Sequence, residues 1–135
     1  MKRVVITGMG VITPAGNTLA DFWYNIVNGN SGAAPITRFN TEHFKTKFAA
    51  QVRDFNPADY HLDKNEIRRS DLYSQYALAA ASQAIADSGF DMAQLSPFDV
   101  GVIFGSAQGG FLTIEEQVMD YAGTCLLYTS DAADE

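Results

Sequence analysis

One cysteine and two histidines are the residues of this chain best suited to nucleophilic or acid–base chemistry. A reactive cysteine needs a positive environment, commonly a helix N-terminus or a neighbouring histidine. Cys125 has no such context, and His43 and His61 lie in polar, loop-type sequence. We therefore do not assign Cys125 as a nucleophile, and we predict no metal ligands in this chain.

Two glycines near the start, Gly8 and Gly10, follow a short apolar segment and precede a helix-type pattern. This order is similar to the dinucleotide-binding fingerprint, whose glycines let a pyrophosphate approach a helix N-terminus. Thr13 stands where the third glycine belongs, and Pro14 removes a backbone donor. No acidic residue ends a second strand about 20 residues later. A tight turn at a strand end is the favoured interpretation, and a nucleotide-binding module is its rival.

Three basic residues, Lys64, Arg68 and Arg69, cluster within six positions of an otherwise acidic chain. Such a cluster can steer an acidic partner toward the protein and raise the rate of association. It can equally be a solvated helix face on which Asp63 and Glu66 are the partners. The residues alone leave both interpretations open.

The elements that must position these residues alternate between strand and helix. Arg3–Thr7 and Val100–Phe104 are short and rich in β-branched residues, which predicts strands buried on both faces. A short strand is also predicted within Phe48–Val52. Strands that alternate with helices predict a layered, largely parallel α/β fold.

Four helices are predicted around these strands. The first carries apolar residues at spacings of three and four, with Asn17 or Thr18 as its N-cap. The third is rich in alanine, which permits close approach of a neighbouring element and suits a central helix. A glycine-rich turn, Gly105–Gly110, leads into the fourth. The predicted helical segments are 19–27, 63–70, 71–88 and, approximately, 112–121.

The composition is that of an ordinary globular protein, with 47% hydrophobic and 19% charged residues. The net charge of −7 argues against a general nucleic-acid binder. The start lacks the features of a signal peptide, and no apolar run approaches the ~18 residues expected of a membrane span. A single cysteine excludes an intramolecular disulfide. These features predict a cytoplasmic protein with no nucleic-acid or membrane partner.

The segment RVVITGMGVITPAGN at 3–17 resembles the opening of bacterial β-ketoacyl-acyl carrier protein synthases of the elongating, synthase II type. The resemblance continues in order to about residue 123, and the ordered set of motifs is far more specific than any one of them. The further motifs are Asn28–Gly32, Thr46–Ala49, Asp54–Asn56, Arg68-Arg69-x-Asp71, Gln75-Tyr76, Asp87–Gly89, Gly101-x-x-x-Gly105-Ser106, Gly109-Gly110 and Glu115-Glu116.

This resemblance implies a thiolase-like layered α/β fold, of which the chain holds only an incomplete N-terminal half, in a homodimer without a cofactor. It also implies an acyltransferase of fatty acid biosynthesis that joins an acyl thioester to malonyl-acyl carrier protein by decarboxylative Claisen condensation. In this family a cysteine at a helix N-terminus carries the acyl group, and two histidines stabilise the enolate. All three lie downstream of the last residue matched here, so the resemblance predicts no catalytic residue in this chain, and we expect the segment alone to be inactive.

The resemblance also implies roles for two sets of residues. Lys64, Arg68 and Arg69 would meet the acidic surface of acyl carrier protein. Gln108 and Phe111 would line the acyl-chain pocket on the side of the dimer partner. Because the family usually has a small or apolar residue at position 108, an amide there carries a desolvation cost unless it is hydrogen-bonded. Chain-length preference is therefore open, as is the alternative that Gln108 points to solvent.

Two alternatives to a fatty acid synthase enzyme stay open. One is a polyketide-type ketosynthase with another acyl substrate. The other is a non-catalytic, chain-length-factor-like subunit that keeps the fold, lacks the cysteine and acts by dimerising. The downstream sequence would distinguish this subunit from an enzyme.

The last eleven residues, CLLYTSDAADE at 125–135, do not continue the pattern before them. They resemble the translated end of a sequencing-library adapter, which predicts a native domain over 1–124 and a non-native tail over 125–135. A natural, exposed C-terminus is the alternative.

Because the elements that would cover the predicted strands lie outside the chain, we expect exposed apolar surface and aggregation of the isolated chain.

Overall fold

The structure, a computed structural model, describes residues 3–96 and 98–123. These residues form four helices and two short strands, all four helices lying close to their predicted bounds. Short 3-10 turns lie at Pro57–Tyr60 and Met92–Gln94. The order is α1 (Leu19–Val27), β1 (Ala33–Pro35), β2 (Phe48–Ala50), α2 (Lys64–Arg69), α3 (Leu72–Ser88) and α4 (Phe111–Gly123).

The ends of the helices follow local sequence signals. Thr18 caps α1, and its hydroxyl oxygen accepts a hydrogen bond from the N–H of Asp21 at 3.2 Å. Asp63 and Glu66 form a reciprocal capping box at the start of α2. α3 ends at Gly89, whose φ of 67° is the left-handed conformation that favours glycine. Short-range signals therefore predicted the helices correctly.

The sheet differs from the prediction of a largely parallel arrangement. Among the described residues there is one sheet, and its two strands are antiparallel. β2 lies within the predicted strand, whereas β1 was missed because alanine and proline are poor strand formers. The paired residues are Ala33 with Ala50, Ala34 with Ala49, and Pro35 with Phe48.

The predicted strands at Arg3–Thr7 and Val100–Phe104 are wrong as strands, because neither segment is paired in a sheet. A strand needs a neighbour for its N–H and C=O groups, and β-branched composition cannot supply one. Both segments are also exposed instead of buried, with Val4 at 96% and Ile103 at 97%. The expected exposure of apolar surface is confirmed, since Ala79 is the only buried hydrophobic residue in the part of the chain described.

α1 carries the predicted apolar stripe, but most of that stripe is not covered. Leu19 and Phe22 are half-buried, whereas Trp23 is 64% exposed and the later members of the stripe are exposed too. The spacing of apolar residues thus predicted the helix but not its burial.

α3 is the helix against which the opening segment packs, as its alanine content predicted. Ala79 is fully buried, and Gln75 is 7% exposed. The backbone at Gly10 lies directly on the helix, where a Cβ would overlap the carbonyl oxygen of Ala80. The small side chains of α3 make this approach possible.

Candidate functional site

Asp71 joins the start of α3 to the start of α4. Its Oδ2 accepts two hydrogen bonds from Thr113, one from the backbone N–H at 3.0 Å and one from the hydroxyl at 2.7 Å. Thr113 is the third residue of α4, so Asp71 satisfies one of the N–H groups that a helix leaves unpaired at its start. These hydrogen bonds favour the charged carboxylate and lower the pKa of Asp71 below its usual range.

The glycine-rich turn between Gly105 and Gly110 packs against the same end of α3. A Cβ at Gly110 would lie 3.0 Å from Oδ2 of Asp71, and Gly109 has a left-handed φ of 63°. Within the turn, the N–H of Gly109 donates a hydrogen bond of 3.0 Å to the hydroxyl of Ser106. The glycines at 109 and 110 are thus required by backbone conformation and by close approach.

An open, mostly apolar cleft of about 500 Å³ lies at the other end of this turn. Ile12 forms part of its wall, and the segment from Phe104 to Ser106 forms another part. Its wall is mostly apolar and includes Phe104, an exposed residue of the segment that was predicted to be a buried strand. The lining residues from α3 are Tyr73, Ser74, Tyr76, Ala77, Leu78 and Ala80.

Gln108 and Phe111, the predicted acyl-pocket residues, lie in the turn and at the first position of α4. Both side chains are exposed, Phe111 at 58%, and neither lines the cleft. They therefore follow the cleft-lining residues within a few positions of the sequence, but they are not part of the cleft wall. Their role at an acyl pocket remains a prediction.

Lys64, Arg68 and Arg69 all lie on α2, and all three are exposed. Their predicted acidic partners have a separate structural task at the start of the helix. Oδ1 of Asp63 accepts the N–H of Glu66 at 2.8 Å, and Oε2 of Glu66 accepts the N–H of Asp63 at 3.0 Å. The basic cluster is thus presented on the surface, and its predicted role toward an acidic partner remains a prediction.

Gly8 and Gly10 are close-approach glycines, not members of a tight turn. A Cβ at Gly8 would lie 2.6 Å from the backbone nitrogen of Ser88, and one at Gly10 would lie 2.8 Å from that of Ala84. Both glycines lie against α3, which follows them by some seventy residues in the sequence. The favoured sequence interpretation, a tight turn at a strand end, is wrong in this respect.

The backbone donors beside these glycines are already paired. The N–H of Met9 donates to Oδ2 of Asp87 at 2.9 Å, and the N–H of Val11 donates to Oε1 of Gln83 at 3.3 Å. A pyrophosphate would need free N–H groups at a helix N-terminus, and these groups instead meet side chains of the last turns of α3. The geometry gives the rival nucleotide-binding interpretation no support.

The two histidines are exposed and lie in turns, as the sequence indicated. Cys125 and the predicted tail over 125–135 lie outside the described residues. Within residues 3–96 and 98–123, no cluster of three or more His, Cys, Asp or Glu side chains is arranged to hold a metal ion. No helix in that part of the chain combines the length and apolar character needed to cross a bilayer.

Sequence reasoning missed the contact between Asp71 and Thr113. The available signal was an aspartate immediately before α3, which indicates an N-cap, yet its side chain makes no capping hydrogen bond to α3. Its partner lies 42 positions away in the chain. Local patterns cannot reveal such a contact.

The chain matches known proteins over most of its length. The sequence profile of the β-ketoacyl synthase N-terminal domain matches residues 1–131. The 3-oxoacyl-[acyl-carrier-protein] synthase 2 of Coxiella burnetii is 46% identical over 115 residues, which is 85% of this chain and 28% of that protein. The enzyme of the same name from Synechocystis is 40% identical over 116 residues, or 86% of this chain and 28% of that protein.

A solved structure shows the same similarity in three dimensions. The ishigamide ketosynthase/chain length factor superposes with a TM-score of 0.69 and 32% sequence identity, over 88% of this chain and 30% of that chain. The chain therefore spans less than a third of the length of the proteins that it matches.

Proposed function

The chain belongs to the β-ketoacyl synthase family, and we propose that it is the N-terminal segment of a 3-oxoacyl-[acyl-carrier-protein] synthase with the thiolase-like fold. The whole protein joins an acyl thioester to malonyl-acyl carrier protein by decarboxylative Claisen condensation and lengthens the acyl chain by one two-carbon unit. The observation that carries the proposal is the 46% identity to a synthase 2 over 85% of this chain.

In this proposal the segment is a scaffold, and the chemistry lies downstream of it. The nucleophilic cysteine and the two histidines of the whole protein follow the residues described here, and the whole protein is a homodimer. Support comes from coverage, because this chain spans only 28% of the synthase 2 relatives that it matches and most of such a protein lies outside it. The segment by itself has no condensing activity.

Two surfaces of the segment contribute to substrate binding in this proposal. The turn that carries Gln108, together with Phe111, helps to form the acyl pocket; both side chains are exposed and open to contact from elements outside this segment. The exposed basic cluster on α2 meets acyl carrier protein and steers its approach by charge. Reversal of the charges on α2, followed by measurement of the reaction with acyl carrier protein, separates this second role from a merely solvated helix.

The function is tested by expressing the complete reading frame and supplying acyl- and malonyl-loaded acyl carrier protein. We expect equal amounts of carbon dioxide and of an acyl product that is two carbons longer, detected by mass spectrometry. The 135-residue chain, assayed in parallel, should give neither. A folded complete protein that releases no carbon dioxide and forms no product would contradict the proposed function.

A non-catalytic partner subunit is the second candidate. The observation in its favour is the similarity to a solved ketosynthase/chain length factor. A subunit of this kind would lack the downstream cysteine, would be inactive alone, and would support condensation only when paired with a ketosynthase. Activity of the complete protein by itself would rule out this candidate.

A further inference from the structure

We propose that Asn28 is a site of spontaneous deamidation, and that this modification releases the end of α1. Asn28-Gly29 is the only Asn-Gly pair in the sequence, and both residues are exposed at the C-terminus of that helix. The inference goes beyond the proposed function and does not depend on it, because it concerns the chemistry of the chain itself and not that of a substrate.

The reaction needs only water as a co-reactant. The backbone nitrogen of Gly29 attacks Cγ of Asn28, a new C–N bond closes a cyclic succinimide, and the side-chain amide group leaves as ammonia with the proton of the Gly29 N–H. Water then opens the ring at either carbonyl group and leaves aspartate or isoaspartate at position 28. Glycine after the asparagine favours ring closure, because it has no side chain to hinder the attack and its backbone is the most flexible.

The pair lies just beyond the regular part of α1, where a helix opens most easily. Asn28 is the C-cap, with φ −87° and ψ 1°, and Gly29 has a left-handed φ of 69°. A Cβ at Gly29 would have nothing within 4 Å, so the space beside this backbone is open. Neighbouring groups therefore leave room for the ring to form.

Two hydrogen bonds hold the reacting groups apart while the helix is closed. Nδ2 of Asn28 donates to the carbonyl oxygen of Tyr24 at 2.7 Å, and the N–H of Gly29 donates to that of Ile26 at 3.2 Å. The side chain of Asn28 must turn away from Tyr24, and the nitrogen of Gly29 must give up its proton, before the new bond can form. The rate of deamidation is therefore set by how often the last turn of α1 opens.

The product cannot replace the amide that it came from. A carboxylate at position 28 has no proton to donate to the carbonyl oxygen of Tyr24, so two acceptors would face each other. Negative charge is also unfavourable at the C-terminus of a helix, and α1 has no basic residue in its last turn to offset it. Deamidation thus turns a bond that closes the helix end into a repulsion.

The end of α1 is connected to the loop before the helix. The backbone N–H of Asn30 donates to the carbonyl oxygen of Asn25 at 2.9 Å, and Nδ2 of Asn30 donates to Oδ1 of Asn25 at 2.9 Å. Nδ2 of Asn25 in turn donates to the carbonyl oxygen of Ala15 at 2.6 Å. A change at Asn28 therefore reaches this loop through Asn25.

Peptide mapping of the complete synthase by mass spectrometry, after prolonged incubation at mildly alkaline pH, tests the site. We expect Asn28 to be converted to aspartate and isoaspartate faster than the exposed Asn40 and Asn65, which precede bulkier residues. Conversion should be slower in the folded synthase than in the same protein unfolded in urea. Asn30→Ala, which removes the side-chain bond to Asn25, should raise the rate at Asn28 by about twofold to tenfold, and Asn40→Ala should not.

Two results of this experiment would overturn the inference. One is an Asn28 that stays intact in the folded synthase over a time in which the urea-unfolded protein is converted. The other is an equal rate in the folded and unfolded protein, which would show that α1 does not control the reaction.

Hydrogen exchange tests the release of the helix end. Asn28→Asp imitates one product and should speed exchange at the amides of residues 28–30 by about threefold to tenfold. Asn40→Asp is the matched control, because Oδ1 of Asn40 accepts the N–H of Glu42 and an aspartate can do the same. Unchanged exchange at residues 28–30 in Asn28→Asp would overturn the proposed release. Neither measurement uses condensing activity, so this inference and the proposed function can fail separately.

Discussion

The backbone of Gly10 lies against the carbonyl oxygen of Ala80 so closely that a Cβ at position 10 would overlap it. Gly8 makes the same kind of approach farther along the helix, where the nearest backbone oxygen is that of Ala84. Gly10 and Gly8 thus meet the carbonyl groups of Ala80 and Ala84, which lie about one helical turn apart on α3. This contact sets the path of the opening segment along α3.

Gly10→Ala should therefore destabilise the complete synthase. The added methyl group has no space beside the backbone of α3, and overpacking of this kind costs about 1–3 kcal/mol. The measurement is thermal unfolding of wild type and variant. Gly101→Ala is the control, since nothing lies within 4 Å of the Cβ that it would add. Equal melting temperatures for Gly10→Ala and Gly101→Ala would contradict the contact.

Gln83 fastens the loop before α1 to α3, and its removal should loosen that loop. Its Oε1 accepts the N–H of Val11, and its Nε2 donates to the carbonyl oxygens of Val11 at 3.2 Å and of Asn17 at 2.8 Å. Gln83→Met keeps the size of the side chain and removes these bonds, at a cost of about 1–3 kcal/mol. Hydrogen exchange at the Val11 amide should become faster in this variant.

The exposed Gln94 offers a matched control for that measurement. Gln94→Met makes the same chemical change at the second 3-10 turn, and it should leave exchange at Val11 as in the wild type. If the Val11 amide exchanges at the wild-type rate in both variants, Gln83 does not hold the loop before α1.

Asp71 should make the stability of the synthase depend on pH in the acid range. Its pKa is lowered in the folded state, first by the backbone and then by the side-chain hydrogen bond from Thr113. A carboxyl whose pKa falls on folding adds stability above its unfolded pKa and loses it as the pH drops through the folded pKa. The stability difference between wild type and Asp71→Asn should thus be full near neutral pH and shrink below about pH 4.

Denaturant unfolding of both proteins at a series of pH values measures this difference. A gap that is the same size at neutral and at acid pH would show that the charge on Asp71 contributes nothing to its hydrogen bonds with Thr113.

Charge reversal on α2 should slow the reaction with acyl carrier protein. The double variant Lys64→Glu and Arg68→Glu replaces attraction by repulsion for an acidic partner, and we expect kcat/KM to fall about tenfold at low salt. The fall should diminish as salt screens the charges. An acyl thioester that carries no protein should react as well as before.

Lys45 and Lys47 give the control with the same change in net charge, because both are exposed and lie outside α2. If Lys45→Glu with Lys47→Glu slows the reaction as much as the α2 variant does, net charge and not the position of the cluster is responsible. The cluster would then be a solvated helix face.

The isolated 135-residue chain should aggregate and bind dyes that report exposed apolar surface. Val4, Phe98 and Ile103 are each more than nine-tenths exposed, and little of the described apolar surface is buried. Light scattering and size-exclusion chromatography measure this directly. A monodisperse monomer that unfolds cooperatively would contradict the expectation.

The helices could be predicted from sequence because their signals are local. The Thr18 cap, the box formed by Asp63 and Glu66, and the terminal Gly89 each act within a few residues of the helix end that they specify. The pairing of strands is not local. Val4 and Ile103 have side chains typical of strands, but a strand forms only where a second chain segment completes its hydrogen bonds.

The candidate site was only partly predictable for the same reason. The family resemblance pointed to the turn that contains Gln108 and to the basic residues of α2. It did not reveal that Asp71 binds Thr113, because a pair 42 residues apart leaves no periodic trace in the sequence. Nor did it reveal that Gly8 and Gly10 serve packing, since the same two glycines also fit a turn or a phosphate loop.

The central claim is that this chain is the beginning of a synthase whose catalytic residues lie downstream. Sequencing the source DNA across the codons for Gly123 to Glu135, and beyond them, tests it most directly. We predict that the frame departs from CLLYTSDAADE after about Thr124 and continues into a helix with a cysteine and then two histidines. A frame that encodes these eleven residues and then stops would contradict the claim and leave the chain without condensing chemistry.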